Sequence, residues 1–376
     1  MILDGYCSEK FAPIKSAFEA NFKDRAEIGA SVAVSLNGEM VVDLWGGKFA
    51  ENDETPWEED TLVNVWSSTK TMTAMCVLLL ADRGEIDLQG KVAHYWPEFA
   101  ASGKEDVTVA HCLAHQAGLS GMDEPVSSEA VYDWEWMTSK LAAQRPWWEP
   151  GTKSGYHALT QGYLLGELVR RISGQSLGSF FKTEIAEPLG ADIHIGVADN
   201  TLDRICPLTT PTSRPDVPDD GSIASRTFAN PAVDAEQANT PGWQQAEIPA
   251  ANGHANARSI VRAQTPIANG GHAFGKQIMT EATTRRIFEE QARGVDLVLG
   301  IPLSLGLGYG LNSELAPMSP NKHACYWGGY GGSIVFIDQD AKVCMSYVMN
   351  RMESGLTGDE RGLSLVMAMY QSLMQA

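Results

Sequence analysis

The sequence predicts an α/β (α+β) protein in which an antiparallel sheet is flanked by the terminal helices and interrupted by a large, mainly helical insertion. Three observations carry this expectation. Apolar residues recur at helical spacing near both ends of the chain. Hairpin patterns lie just inside them. The middle, residues 87–300, reads as helix and loop.

Phe11, Ile14, Phe18 and Phe22 recur at helical spacing and predict an amphipathic helix. Val32, Val34 and Leu36 then lead into Asn37-Gly38, and Met40-Val41-Val42-Asp43-Leu44 returns. Both turn residues tolerate positive φ, so this is a hairpin signal. A second hairpin is expected where Ser333-Ile334-Val335-Phe336-Ile337 runs to Asp338-Gln339-Asp340 and Lys342-Val343-Cys344-Met345-Ser346-Tyr347-Val348 comes back. Leu363, Val366, Met367, Tyr370, Leu373 and Met374 share one face of a last helix. Ends that share a sheet around an insertion explain this order, with the terminal helices covering an apolar face. Residues 1–86 and 301–376 then form one α/β lobe and 87–300 a mainly helical lobe, with a single catalytic site between them. The proline-rich run 207–218 cannot form a regular element, because its prolines lack backbone donors. It is either a wall of a cleft or a plain connector.

Composition narrows the partners. The 376 residues include 28 basic and 47 acidic side chains, a net charge of −19. Nucleic acid and anionic membranes need clustered Lys and Arg, so neither is expected as a partner. No apolar run is long enough to span a bilayer. The first residues, Met1-Ile2-Leu3-Asp4-Gly5-Tyr6, show neither a basic region nor an apolar one, so a cytoplasmic location is expected. Six cysteines without a C-x-x-C spacing fit reduced thiols better than disulfides or zinc.

Three short elements bear chemistry. In Val65-Trp66-Ser67-Ser68-Thr69-Lys70, Ser67 and Lys70 are three apart and share a face if the following apolar run is a helix. A serine at a helix start also sits near free N–H groups and the positive end of the dipole. The same pattern suits an N-cap serine followed by a surface lysine. In Glu149-Pro150-Gly151-Thr152-Lys153-Ser154-Gly155-Tyr156-His157-Ala158, a turn presents Tyr156 ahead of a helical run, as a catalytic group or as a buried anchor. In Trp327-Gly328-Gly329-Tyr330-Gly331-Gly332-Ser333, glycines at a strand entry allow another molecule close to the backbone, or simply make a bend.

Taken together and in this order, the three resemble the class C β-lactamases, the DD-peptidases and their esterase relatives, a family with the serine β-lactamase and penicillin-binding-protein fold. Cys112-Leu113-Ala114-His115-Gln116-Ala117-Gly118-Leu119 and Gly253-His254-Ala255-Asn256-Ala257-Arg258 are similar to further stretches of that family. There are departures. Tyr156-His157-Ala158 stands where class C enzymes have Tyr-x-Asn, and Trp327-Gly328-Gly329 replaces Lys-Thr-Gly. An ammonium that held a substrate anion becomes an indole. Trp-Gly-Gly here resembles the family VIII carboxylesterases.

The resemblance implies Ser67 as nucleophile, Lys70 and Tyr156 as its proton-handling partners, and the N–H groups of Ser67 and Tyr330 as oxyanion hole. It implies substrate contacts from Trp327, Gly328, Gly329 and His157. The expected activity is a serine carboxylesterase cleaving short or medium acyl esters through an acyl-enzyme on Ser67, a small-molecule ester being the partner. A β-lactamase, a D-amino-acid peptidase and an acyltransferase remain alternatives, as does a non-catalytic binding scaffold. Desolvation should lower the Lys70 pKa, and a cationic lysine should draw Tyr156 towards phenolate, so either could be the base.

Gly174-Gln175-Ser176-Leu177-Gly178 matches the G-x-S-x-G of α/β-hydrolases. That motif needs a strand before it, and a helix is expected here, so Ser176 is read as a turn residue. The eight histidines form no H-E-x-x-H pattern, and no Walker-type loop occurs, so no metal and no cofactor is implied.

Overall fold

The computed structural model describes residues 3–213 and 219–375. In chain order the strands are Leu3–Cys7 (β1), Gly29–Leu36 (β2), Glu39–Gly47 (β3), Val63–Asn64 (β4), Ile193–Ile195 (β5), Gly253–Ala255 (β6) and His272–Ala273 (β7). They continue with Lys276–Gln277 (β8), Ala292–Val295 (β9), Pro302–Leu305 (β10), Gly310–Leu311 (β11), Ala324–Gly328 (β12), Ile334–Asp338 (β13) and Val343–Met349 (β14). Among the described residues, nine of these form one sheet in the order β1-β3-β2-β14-β13-β12-β11-β10-β9. Every pairing in it is antiparallel.

Both expected hairpins form. Asn37 and Gly38 take φ of 54° and 84° between β2 and β3, as an Asn-Gly turn requires. The two ends of the chain meet where β2 pairs with β14, with Ala33 opposite Ser346. Ser31 and Ser35 turn small side chains to one face of the sheet, and the helix Ala257–Ala268 lies against it. Its Ala257 N–H donates to Ser31 Oγ at 3.1 Å, and Thr265 and Ser35 share a hydroxyl bond of 2.7 Å. On the other face Phe18 packs edge-on against Tyr347, and Tyr370 against Phe336. Phe18 and Tyr370 belong to the terminal helices Ala12–Asp24 and Glu360–Met374, which pack on each other. All seven residues of β14 are buried, because both faces are covered. Truncating a buried ring here, such as Phe18→Ala, is expected to cost about 3–5 kcal/mol.

The boundary of the helical part differs from the sequence expectation. Ala292–Val295, inside the stretch 87–300, pairs with β10 and makes the far edge of the sheet. An edge strand of four residues containing Arg293 and Gly294 carries little apolar alternation, so it left no period-two signal. The helix Ala257–Ala268, also within 87–300, lies on the sheet as well. Residues 207–213 form no regular helix or strand, as their composition implied, and 214–218 of the same run lie outside the described residues.

The helix Thr69–Asp82 is buried on every side, with no polar stripe, as a helix at the centre of a protein must be. It packs against the helix Thr160–Ser173. A second sheet, β4-β6-β5, feeds the chain into it: Val63 pairs with Ala255 and Asn64 with His254.

Candidate active site

The segment after β4 is held to β6 by one more bond, from Val65 N–H to Gly253 O at 2.8 Å. Trp66 then takes a φ of 47°, a left-handed conformation that a bulky residue adopts only when its surroundings hold it there. The ring supplies that hold: it is buried between Trp243 and Tyr330, with centroids 5.3 and 5.4 Å away. The turn puts Ser67 two residues ahead of the first helical residue, with Ser68 at the N-cap. Lys70 N–H donates to Ser67 O at 3.0 Å, so Ser67 belongs to the first turn. The N–H of Ser67 itself donates no hydrogen bond among the described residues.

Lys70 is 2% exposed. Its Nζ donates to Ala158 O at 2.7 Å and Ala250 O at 2.8 Å, and lies 3.1 Å from Ser67 Oγ. Among the described residues no carboxylate is bonded to it, and burial pushes its pKa well below the ordinary lysine value. The hydroxyl of Tyr156 makes a short hydrogen bond to Ser67 Oγ. Lys70 Nζ stands 4.7 Å from the centre of the tyrosine ring. Burial raises the phenol's pKa, and its bond to Ser67 only partly opposes this. The expected pull of Tyr156 towards phenolate is therefore not found. It required a cationic neighbour, and the burial that favours protonated Tyr156 also disfavours the charged form of Lys70.

The tyrosine loop is fastened at three successive N–H groups. Gly155 donates to His115 O at 3.0 Å, Tyr156 to Asp296 Oδ1 at 2.9 Å, and His157 to His115 Nδ1 at 3.0 Å. Ser67 and Tyr156 border a cavity of about 510 Å³, within the range of small-molecule sites. Its walls are largely apolar, with Leu159, Phe228, Pro231, Val233 and Leu356 among them. Thr210 and Pro211 of the proline-rich run also line it, which selects the cleft reading of that run over the plain connector.

The other expected site residues are distributed unevenly. Tyr330 lines the cavity beside Ser67. Trp327 is buried behind Tyr156, with ring centroids 5.7 Å apart, and stacks on His115. It shapes the site through the tyrosine and does not line the cavity. Gly328 and Gly329 are approached closely by the chain itself. A Cβ on Gly328 would lie 2.2 Å from Thr357 O, and one on Gly329 would lie 2.4 Å from Val65 O. His157 is fully buried: its Nδ1 bonds Gly155 O at 2.7 Å and its Nε2 accepts from Leu119 N–H at 3.1 Å. Burial holds its pKa down at about 3, so it is a neutral strut and the expected substrate contact is not met. Ser176 caps the short helix Leu177–Phe181 and donates to Glu247 Oε1 at 2.6 Å, as a turn residue would. Sequence reasoning missed Asp296 and the carbonyls of Ala158 and Ala250. Backbone carbonyls carry no residue signal, and Asp296 lies 140 positions from the residue it serves.

Comparison with known proteins identifies the family. The β-lactamase family model matches residues 14–366, and the chain belongs to that family. A crystal structure of a family VIII carboxylesterase is 40% identical and superposes with a TM-score of 0.93, covering 99% of this chain and 100% of that one. A penicillin-binding protein homologue from Caulobacter crescentus is 38% identical, with a TM-score of 0.92 and the same coverage. The esterase/β-lactamase LipL of Mycobacterium tuberculosis (strain ATCC 25618 / H37Rv) is 36% identical over 94% of this chain and 84% of its own. Within the family, this chain is a serine hydrolase of the esterase kind, a serine carboxylesterase built on the β-lactamase fold.

Proposed function

We propose that the chain cleaves neutral esters with short or medium acyl groups, using Ser67 as nucleophile, Lys70 as base and Tyr156 as acid. The observation that carries this is the double contact on Ser67 Oγ, from Lys70 Nζ at 3.1 Å and from the Tyr156 hydroxyl, at the edge of an apolar cavity. A neutral amine has two N–H groups and one lone pair. Here two carbonyls take the N–H groups, which leaves the lone pair facing the serine.

In the first half-reaction Ser67 O–H passes its proton to Lys70 as Oγ bonds the ester carbon. The N–H groups of Ser67 and Tyr330 receive the oxyanion, a kind of donor that contributes about 10²–10³ in rate. As the carbon–oxygen bond to the alcohol breaks, Tyr156 gives the leaving oxygen its proton, and the Lys70 ammonium restores it. Water then repeats the sequence on the acyl-enzyme. Trp327 and Ala158, in place of a lysine and an asparagine, support neutral acyl groups over the carboxylate and amide of a β-lactam or peptide. All six cysteines are free thiols, which supports a reducing, cytoplasmic location. No helix among the described residues is long and apolar enough to cross a membrane.

The test is hydrolysis of p-nitrophenyl esters from acetate to decanoate, beside the lactam nitrocefin, for wild type and Ser67→Ala. Ester turnover that disappears in the variant, with little nitrocefin cleavage, is expected. Strong nitrocefin cleavage would transfer the reading to a lactamase. Failure of fluorophosphonate to label Ser67 would leave the scaffold reading.

A further inference from the structure

We propose that Asp296 is the positioning residue for Tyr156: its carboxylate, at the tip of the β9–β10 hairpin, sets where the tyrosine hydroxyl stands against Ser67. The inference rests on Tyr156 being the acid of the proposed mechanism.

Asp296 follows β9 directly and is 1% exposed. Its Oδ1 accepts three backbone N–H groups, each at 2.9 Å, from Tyr156, Val298 and Leu299. Two belong to the hairpin's own turn and the third to the tyrosine loop. One atom therefore joins two segments that are distant in sequence. Neighbouring bonds make the junction stiff: Leu297 N–H donates to Ser154 O at 2.9 Å, and Asp296 N–H to Ile301 O at 3.0 Å. Val298 and Leu303 of the same hairpin pack in one apolar cluster with Tyr156 and Trp327.

The second carboxylate oxygen, Oδ2, is buried with no hydrogen-bond partner among the described residues. Leaving a buried carboxylate oxygen unpartnered is costly, and an asparagine would hold the same three N–H groups without the charge. A retained charge beside the tyrosine has a chemical consequence. The groups facing Tyr156 are Ser67 and Lys70 from the nucleophile turn, the neutral rings of His115 and Trp327, and Asp296. Of these, Asp296 is the one whose negative charge opposes phenolate formation, adding to the effect of burial. The carboxylate thus sets the place of the acid and adds to the burial that keeps it protonated.

The experiment compares Asp296→Ala and Asp296→Asn in the wild type and in a Tyr156→Phe background, reading kcat and KM on an alkyl ester together with the pH profile. A misplacement of about 1 Å costs about 10²-fold. Asp296→Ala is expected to lower kcat by that order with KM within about twofold. Asp296→Asn, which keeps an oxygen for the three N–H groups, should recover most of the loss. In Asp296→Asn the alkaline limb of the profile should move to lower pH, because the charge holding Tyr156 protonated is gone. In the Tyr156→Phe background neither substitution should cost anything further. If Asp296→Ala does not fold, the limb of Asp296→Asn decides: a shift supports the proposal and an unmoved limb overturns it. Wild-type kcat in both variants, or a full additional loss in the Tyr156→Phe background, also overturns it. Wild-type activity in Tyr156→Phe alone would instead overturn the mechanism above, so the two failures are separable.

Discussion

Replacing Tyr156 by phenylalanine isolates one oxygen. The ring would keep its packing against His115 and Trp327, whose centroids lie 5.1 and 5.7 Å away. The three backbone bonds that fasten the loop would be untouched. Only the hydroxyl bonded to Ser67 Oγ would go, and Ser67 would still face Lys70 at 3.1 Å. Loss of one neutral hydrogen bond costs about 1 kcal/mol, so the variant should fold. The catalytic loss is larger. A positioned acid contributes about 10²–10⁴ in rate. That corresponds to about 3–5 kcal/mol at 1.36 kcal/mol per tenfold. It should fall on kcat, since the proton moves only as the alcohol leaves. The assay compares p-nitrophenyl butyrate with ethyl butyrate. A nitrophenolate leaves without help, whereas an ethoxide needs the proton, so Tyr156→Phe should lose more on the ethyl ester. Equal losses on both esters would refute proton delivery by Tyr156, and wild-type rates on both would remove it from the mechanism.

Three further outcomes can be measured. Because burial lowers the Lys70 pKa, the amine should be neutral, and the enzyme active, at pH values where an ordinary lysine is almost wholly protonated. Activity should be lost as pH falls through the lowered pKa and stay level above it until the Tyr156 phenol loses its proton on the alkaline side. Between pH 8 and 10, kcat/KM should therefore rise less steeply than the nearly tenfold per pH unit that a lysine of pKa about 10.4 would give; the full rise would count against Lys70 as a neutral base. Lys70→Arg, whose side chain cannot shed its proton, should lose most activity at every pH. Ser176→Ala should retain most esterase activity while losing an N-cap worth about 0.5–2 kcal/mol, visible as a lower Tm. Abolished turnover in that variant, with Ser67→Ala active, would reverse the assignment of the nucleophile.

What the sequence revealed was what depends on local spacing. Asn37-Gly38 marks a hairpin because two consecutive residues must take positive φ, and they do. Ser67 and Lys70 come together because three positions on a helical turn share a face, and the helix follows at Thr69. Ser176 was placed correctly because its motif demands a strand that the helical pattern before it denies. The features that escaped depend on segments far apart in the chain. Trp327 was expected in the substrate cavity, but whether a strand residue faces a cavity or the ring behind it is decided by the neighbouring layer. Adjoining Tyr156 suggests that His157 faces the cleft, yet its ring is held inside by bonds to Gly155 O and Leu119 N–H. Asp296 looks like any aspartate closing a hairpin until the loop carrying Tyr156 is laid against it.

The protonation states show most clearly why spacing was insufficient. Reasoning by pairs puts a cation beside a phenol and lets each favour the other's charge, which makes Tyr156 a candidate base. The folded site removes that pairing, because both groups lie in the same dry environment. Desolvation penalises charge of either sign, so it lowers the amine's pKa and raises the phenol's. One surrounding thus favours the uncharged forms that the proposed mechanism asks of its base and its acid on the same serine oxygen. In the proposed mechanism, the division of labour between Lys70 and Tyr156 follows from how little water reaches them. A substitution that admits water behind Tyr156, without touching either residue, should therefore impair both roles together.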